Sequence, residues 1–393
     1  MSSADAPQPS LGDYLSPVRL LPGETSQDVL IDGASLCLSG GGYRAMLFHL
    51  GALWRLHELD YLRHVKRISS VSGGSITSAW LGMNWEALYP ATGMADFESV
   101  IVKPIRDFAS QTMDEPSVLE GMLTLGLQGS KTPDHYRLLY GHATLHDIPD
   151  TAPEFVFNST NLQTGSLMRF SKAKVADWRL GEIRDPHTEL AIAVAASSAF
   201  PPFLSPLVLP ALPTDFVAYE NAEITNPAFL NHPSLTDGGV YDNLGIETAW
   251  KKYKTILVSN ADGLNDFQLA PGTDWARQAY RVLMLLYEQV CSLRKRQVIG
   301  SFIAGQREGS YWSMASHTAD YHLPDTDFSR PLVCPPELTL PIAQTPTRLA
   351  AMDTPLQDRI INWGYAICDV AVRRWLVPTA QRPSGFKYPI GLG

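Results

Sequence analysis

From Ala34 the chain breaks into short apolar runs and amphipathic stretches. ASLCLS (34–39) is an almost continuous apolar run. Three glycines follow, then YRAMLFHLGALWRLHEL, in which Leu47, Leu50 and Trp54 recur at helical spacing. The pattern predicts strand, Gly-rich turn, helix. A second unit comes at once: Val65–Val71 (VKRISSV) as a strand, Ser72-Gly73-Gly74 as a sharp turn, Ser75–Met83 as a helix. Two such units in succession predict a parallel sheet with covering helices. Further strands are expected at Glu154–Asn158 and Lys254–Asn260, and long helices at about Asp274–Phe302 and Leu356–Leu376.

Between these elements the pattern weakens. Residues 1–30 are polar and Pro-rich and read as an extended arm. Insertions are expected near 84–150 and 203–233, the second because Pro201–Pro233 is rich in proline. Ser117–Leu127 is apolar on one side. Leu119, Met122, Leu123, Leu125 and Leu127 read first as core, and alternatively as a lid or membrane-facing edge. No repeat appears at the periods of solenoids or propellers. We therefore expect one domain over 31–380, with a tail at 381–393.

Composition narrows the function. The 393 residues carry 31 basic and 40 acidic side chains, a net charge of -9. That disfavours a sequence-independent nucleic-acid binder, which needs a basic surface. A local basic patch still permits membrane contact, and Arg294-Lys295-Arg296 is such a run, read first as a solvated helix face. Cys37, Cys291, Cys334 and Cys368 are too far apart for metal-ligand spacing, and free thiols fit a reducing compartment. The N-terminus lacks the charged and apolar regions of a secretory signal, and no run of about 20 apolar residues exists to span a bilayer. A soluble, cytoplasmic protein without cofactor or metal is the expectation.

Three short motifs carry chemistry. Ser72 stands between a predicted strand and a predicted helix in Ser70-Val71-Ser72-Gly73-Gly74-Ser75. A nucleophile elbow needs that context, because the tight turn lifts the hydroxyl above the sheet, and it needs small neighbours such as Gly74. Ser70 holds the position where glycine is usual. The bland alternative is a serine capping a helix. Gly40-Gly41-Gly42, also between strand and helix, offers free N–H groups and a positive helix end for an oxyanion, with Arg44 two residues on. The same glycines with Ala45 and Asp60 also fit a dinucleotide loop, which leaves Ser72 without a role. Thr236-Asp237-Gly238-Gly239 alone is a turn signal. His49 and His57 on the first helix read as structural or exposed, and Asn158 and Asn161 read first as turn residues, alternatively as lining the site.

In combination the motifs say more. Gly40–Arg44, Ser70–Ser75, Ala196-Ser197-Ser198-Ala199-Phe200-Pro201-Pro202 and Asp237-Gly238-Gly239, in that order, resemble the blocks of the patatin-like phospholipase family. The resemblance covers about residues 34–260. It implies a three-layer α/β/α sandwich with a central, mainly parallel sheet. It also implies hydrolysis of acyl esters in lipid or phospholipid substrates, with peripheral membrane contact. The site it implies is a dyad of Ser72 and Asp237 without histidine, an oxyanion hole at Gly40–Gly42, and supporting roles for Arg44, Gly74 and Gly238. Two alternatives stay open. One is an α/β-hydrolase esterase with a Ser–Asp–His order, for which His317 and His322 follow Asp237. The other is an inactive nucleotide- or lipid-binding module.

Overall fold

Side chains alternate along the first strand, β1 (Ile31–Leu38). Leu36 and Leu38 enter the main apolar core, whereas Cys37 between them enters a second, smaller one. Successive strand side chains point to opposite faces, so a strand buried on both sets needs cover on both. The structure, a computed structural model, describes residues 30–113, 132–202, 204–220, 222–263, 267–324, 326 and 328–393. The apolar stretch Ser117–Leu127 and nearly all of the 1–30 arm lie outside them.

The strands that follow are β2 (Val65–Val71), β3 (Glu154–Asn161), β4 (Ser166–Phe170), β5 (Lys174–Asp177), β6 (Gly181–Arg184) and β7 (Leu207–Val208). Then come β8 (Val217–Ala218), β9 (Ser234–Asp237), β10 (Tyr253–Asn260) and β11 (Glu308–Ser313). Their order is β11-β10-β1-β2-β3-β4-β5-β6-β8. From β11 to β3 every pairing is parallel; beyond β3 the sheet continues antiparallel. β10 repeats the alternation of β1, with Leu257 in the main core and Ile256 and Val258 in the second.

Helices supply the two outer layers. Those of eight residues or more, among the described residues, are α1 (Gly42–Glu58), α2 (Gly73–Met83), α3 (Thr132–Tyr140), α4 (Leu190–Ser197), α5 (Trp275–Ile303), α6 (Pro336–Ala343) and α7 (Thr354–Trp375). α1, α2, α4 and α7 bury their apolar faces in the main core. Asp369 of α7 takes Arg55 of α1 at 2.9 Å and Arg373 at 2.6 Å, so these buried charges are paired. The second face is covered by Leu244–Ala249 and by Val298 near the end of α5. The three layers and the elements expected from periodicity are present. α5 and α7 start one turn or less from their predicted positions, each behind an aspartate, Asp274 and Asp353, that accepts an N–H of the first turn.

The insertion near 203–233 is not a detached loop. Its two-residue strands extend the sheet, β8 on β6 and β7 on β9. Strands that short leave no periodic signal to read.

Candidate active site

The geometry of the site follows from one strand. β2 runs parallel to β3 and ends with Val71 opposite Asn158. β9 runs antiparallel to β3 on the same side and ends with Asp237 opposite Ser159. The C-terminal ends of β2 and β9 therefore meet one register step apart, about 3.4 Å along β3. The next residue after β2 is Ser72, so the register alone brings Ser72 to Asp237. The Ser72 hydroxyl lies near enough to the Asp237 carboxylate to favour its charged form. Both residues are buried.

Ser72 leaves the strand with φ 50° and ψ -120°, a conformation strained for any residue with a side chain. This is the sharp strand-to-helix turn predicted for an elbow. α2 starts at once, and the Ser72 carbonyl accepts the N–H groups of Ser75 (2.8 Å) and Ile76 (3.2 Å). The turn has no room for larger neighbours. A Cβ on Gly73 would strike the Gly42 carbonyl, and one on Gly74 would lie 2.6 Å from that of Leu38.

Asp237 is pushed up to about 7 by burial, against the pull of the Gly239 N–H and the Ser72 hydroxyl. The Gly239 N–H donates to Oδ1 at 2.7 Å. Gly238 sits against the Asn158 carbonyl, where no Cβ fits. No histidine hydrogen-bonds Ser72 or Asp237 among the described residues. His317 and His322 are exposed beyond β11. His49 is buried, with Nε2 donating to the Ser39 carbonyl and Nδ1 bonded to Ser259 Oγ, both at 2.8 Å; burial lowers it to about 4 and keeps it neutral. His57 is buried against Tyr89.

The glycine loop lies beside the elbow and divides its work. The Gly40 N–H is already donated to the Asn243 carbonyl (3.1 Å), so this glycine acts by packing against Ser72 Cβ, not as a donor. Gly41 and Gly42 have φ 135° and 61°, and neither N–H has a hydrogen-bond partner among the described residues. Arg44 does not face solvent. It is 4% exposed, and its guanidinium donates to the carbonyls of Ala261 (3.2 Å) and Thr345. It braces the loop and is not placed to meet a substrate phosphate.

Sequence reasoning missed the groups that hold the elbow. Ser197 Oγ accepts the Ser72 N–H (2.9 Å), donates to the Asn158 carbonyl (2.7 Å) and lies 2.8 Å from Ser75 Oγ. Ser75 in turn donates to Ser70 (3.0 Å), and Ser70 bonds Ser78 (2.7 Å). The hydroxyl at position 70, where glycine is usual, is thus satisfied inside a serine chain. Asn158 is not a turn residue. It lies in β3, and its amide donates to Ser69 Oγ and the Ser70 carbonyl, both at 2.9 Å. Asn161 does serve a turn, accepting the Gln163 N–H at 2.9 Å. The signal for Ser197 was its place in the Ala196–Pro202 block, but its partners are far away in sequence. Ser197→Ala is expected to lower kcat by about tenfold and stability by about 1–2 kcal/mol, because two buried backbone groups lose their partner. Slower labelling by a fluorophosphonate, at an unchanged KM, separates this positioning role from a structural one.

Among the described residues the only cluster of three side chains able to hold a metal is His146, Asp185 and His187, none of which bonds to Ser72 or Asp237.

A strained serine at a strand–helix elbow, a carboxylate near it and two N–H groups beside it without partners among the described residues are the parts that a serine acyl-transfer site requires. Residues 36–250, more than half of the chain, match the patatin-like phospholipase family, and the chain belongs to it. No curated protein compared with it matches. Solved structures with similarity include human GIVD cytosolic phospholipase A2 in complex with methyl gamma-linolenyl fluorophosphonate. It is 16% identical, with a TM-score of 0.45, over 88% of this chain and 57% of that one. VipD from Legionella pneumophila is 14% identical, with a TM-score of 0.32, over 86% and 66%. The type III effector ExoU is 12% identical, with a TM-score of 0.33, over 88% and 54%. The chain spans less than two thirds of the length of each of these proteins.

Proposed function

We propose that the chain hydrolyses acyl esters of phospholipids or lysophospholipids through a Ser72–Asp237 dyad. Ser72 Oγ attacks the ester carbonyl carbon while its proton passes to Asp237. The carbonyl oxygen, now negative, is held by the N–H groups of Gly41 and Gly42. The intermediate collapses, the C–O bond to the alcohol breaks, and Asp237 returns the proton to the leaving oxygen. Water then attacks the acyl-serine. Asp237 takes the water proton and gives it back to Ser72 Oγ as the fatty acid leaves.

The observation that supports this reading is the meeting of β2 and β9 on β3, which brings the Asp237 carboxylate and Ser72 together, while no histidine among the described residues hydrogen-bonds either. A carboxylate is a weak base in water; burial brings Asp237 to about 7, a useful strength at neutral pH. The test is labelling with a fluorophosphonate, followed by a lipid-class profile of the purified protein. Label on Ser72 with fatty-acid release from phosphatidylcholine or lysophosphatidylcholine supports the reading. Absence of label on Ser72 rejects it.

A metal has no part in this scheme. Turnover is expected to persist in excess chelator. Loss of turnover that calcium restores would point to a different phospholipase chemistry.

A further inference from the structure

Helix α5 is unlike the other long helices. Of its 29 residues only Val298 and Ser301 are buried. Trp275, Val282, Leu286 and Leu293 are 84%, 53%, 61% and 58% exposed. At about 100° per residue these positions return to one face, forming an apolar line of about 27 Å. Leu285 borders the line, and Phe267 and Leu269 on the approach to the helix are fully exposed. A soluble domain rarely leaves so much contiguous apolar surface uncovered unless something binds there.

Two further observations indicate what binds. The first is charge. α5 carries Arg277, Arg281, Arg294, Lys295 and Arg296 against a single acid, Glu288, in a chain of net charge -9. Arg294 is tied to Glu247 at 2.7 Å, but Lys295 and Arg296 are exposed and form no ion pair among the described residues. An apolar face joined to basic side chains is the composition of a helix lying in a lipid–water interface. Two copies of this chain meeting along the line would bring basic helix against basic helix, which disfavours a second copy as the occupant. No described helix is long and apolar enough to cross a membrane.

The second is position. Tyr287, next to Leu286, donates its hydroxyl to Asp262 (3.1 Å). Its ring comes within 3.2 Å of where a Cβ on Gly239 would sit, two residues beyond Asp237. The apolar line is thus one helix face away from the proposed catalytic pair.

We propose that α5 is the element that docks the protein on an anionic lipid surface, with Trp275, Val282, Leu286 and Leu293 in the acyl boundary and Lys295 and Arg296 at the headgroups. The purpose of this docking rests on the acyl-hydrolase reading, since it would present the site to lipid; its test does not.

Co-sedimentation with vesicles, in the Ser72→Ala background so that no lipid is consumed, measures docking alone. Binding to phosphatidylcholine vesicles containing phosphatidylglycerol is expected, with much less to phosphatidylcholine alone. Leu286→Glu with Leu293→Glu should lower vesicle affinity by about tenfold or more, and Lys295→Glu with Arg296→Glu should do the same. With Ser72 present, both double variants should turn over a short water-soluble ester at the wild-type rate. The charge variant changes only exposed groups, so it decides the matter even if the leucine variant fails to fold. Vesicle binding unchanged in the charge variant overturns the proposal. So does a wild-type dimer that the leucine variant splits without loss of vesicle binding. Vesicle binding through α5 by a protein that hydrolyses no ester leaves docking standing and rejects the proposed function instead.

Discussion

Ser72→Ala is expected to lower turnover of a short p-nitrophenyl ester by about three powers of ten or more, a loss of about 4 kcal/mol in transition-state stabilisation. The circular dichroism spectrum should not change. The substitution removes one oxygen and leaves every atom that holds the elbow. The Ser72 N–H still reaches Ser197 Oγ, and the carbonyl still accepts from Ser75 and Ile76. A φ of 50° is no worse for alanine than for serine. Without the hydroxyl no acyl-enzyme forms, so fluorophosphonate labelling should vanish with turnover. The remaining activity would be what the Gly41 and Gly42 N–H groups achieve with water alone. Turnover near the wild-type rate would reject Ser72 as the nucleophile.

The elbow was legible because its cause is local. A strand, a tight turn and a helix each leave a periodic trace, and small residues at 73 and 74 are the steric condition for joining them. The acid was harder. Asp237-Gly238-Gly239 by itself is a turn, and its partnership with Ser72 came only from the order of the blocks, as a resemblance. The physical reason for that partnership is the shared use of β3 by β2 and β9, a register between segments more than seventy residues apart. Such pairings leave no mark in either segment. The same limit hid Ser197, whose partners are Ser72, Ser75 and Asn158, and it hid the loss of the Gly40 N–H to Asn243.

Helix α5 shows a different limit. Its sequence predicts the helix, and of its basic run Lys295 and Arg296 are exposed as a solvated face, whereas Arg294 turns in to Glu247. Its leucines do not reveal whether they are covered, because amphipathic periodicity reports a face and not what lies against it. Only the tertiary structure shows that the described residues leave this face open. The antiparallel half of the sheet was missed for yet another reason. β5 to β8 are two to four residues long, too short for alternation to stand out from loop composition.

Asp237→Asn is expected to be nearly as damaging as the loss of the nucleophile, while His317→Ala and His322→Ala each keep activity within about tenfold. An amide accepts no proton, so neither acylation nor deacylation has a base. The two histidines are exposed and touch neither Ser72 nor Asp237, so removing them takes nothing from the site. The wild-type rate should rise with pH through about 7, as Asp237 ionises, and the asparagine variant should lack that limb. Stability should move the opposite way. The carboxyl is raised in the fold from an ordinary 3.8, so the stability linked to its proton is fully present below about 4 and is lost as pH rises through about 7. Asparagine is neutral at every pH and keeps an oxygen to accept the Gly239 N–H, now made at 2.7 Å to Oδ1. The melting temperature of the variant should therefore gain on wild type between pH 5 and about 8, the sign expected where function keeps a charge in a dry site. A variant that melts lower than wild type by the same margin at every pH, with full activity, would mean that Asp237 is a structural turn residue. In that case a histidine variant that abolishes turnover would identify the base.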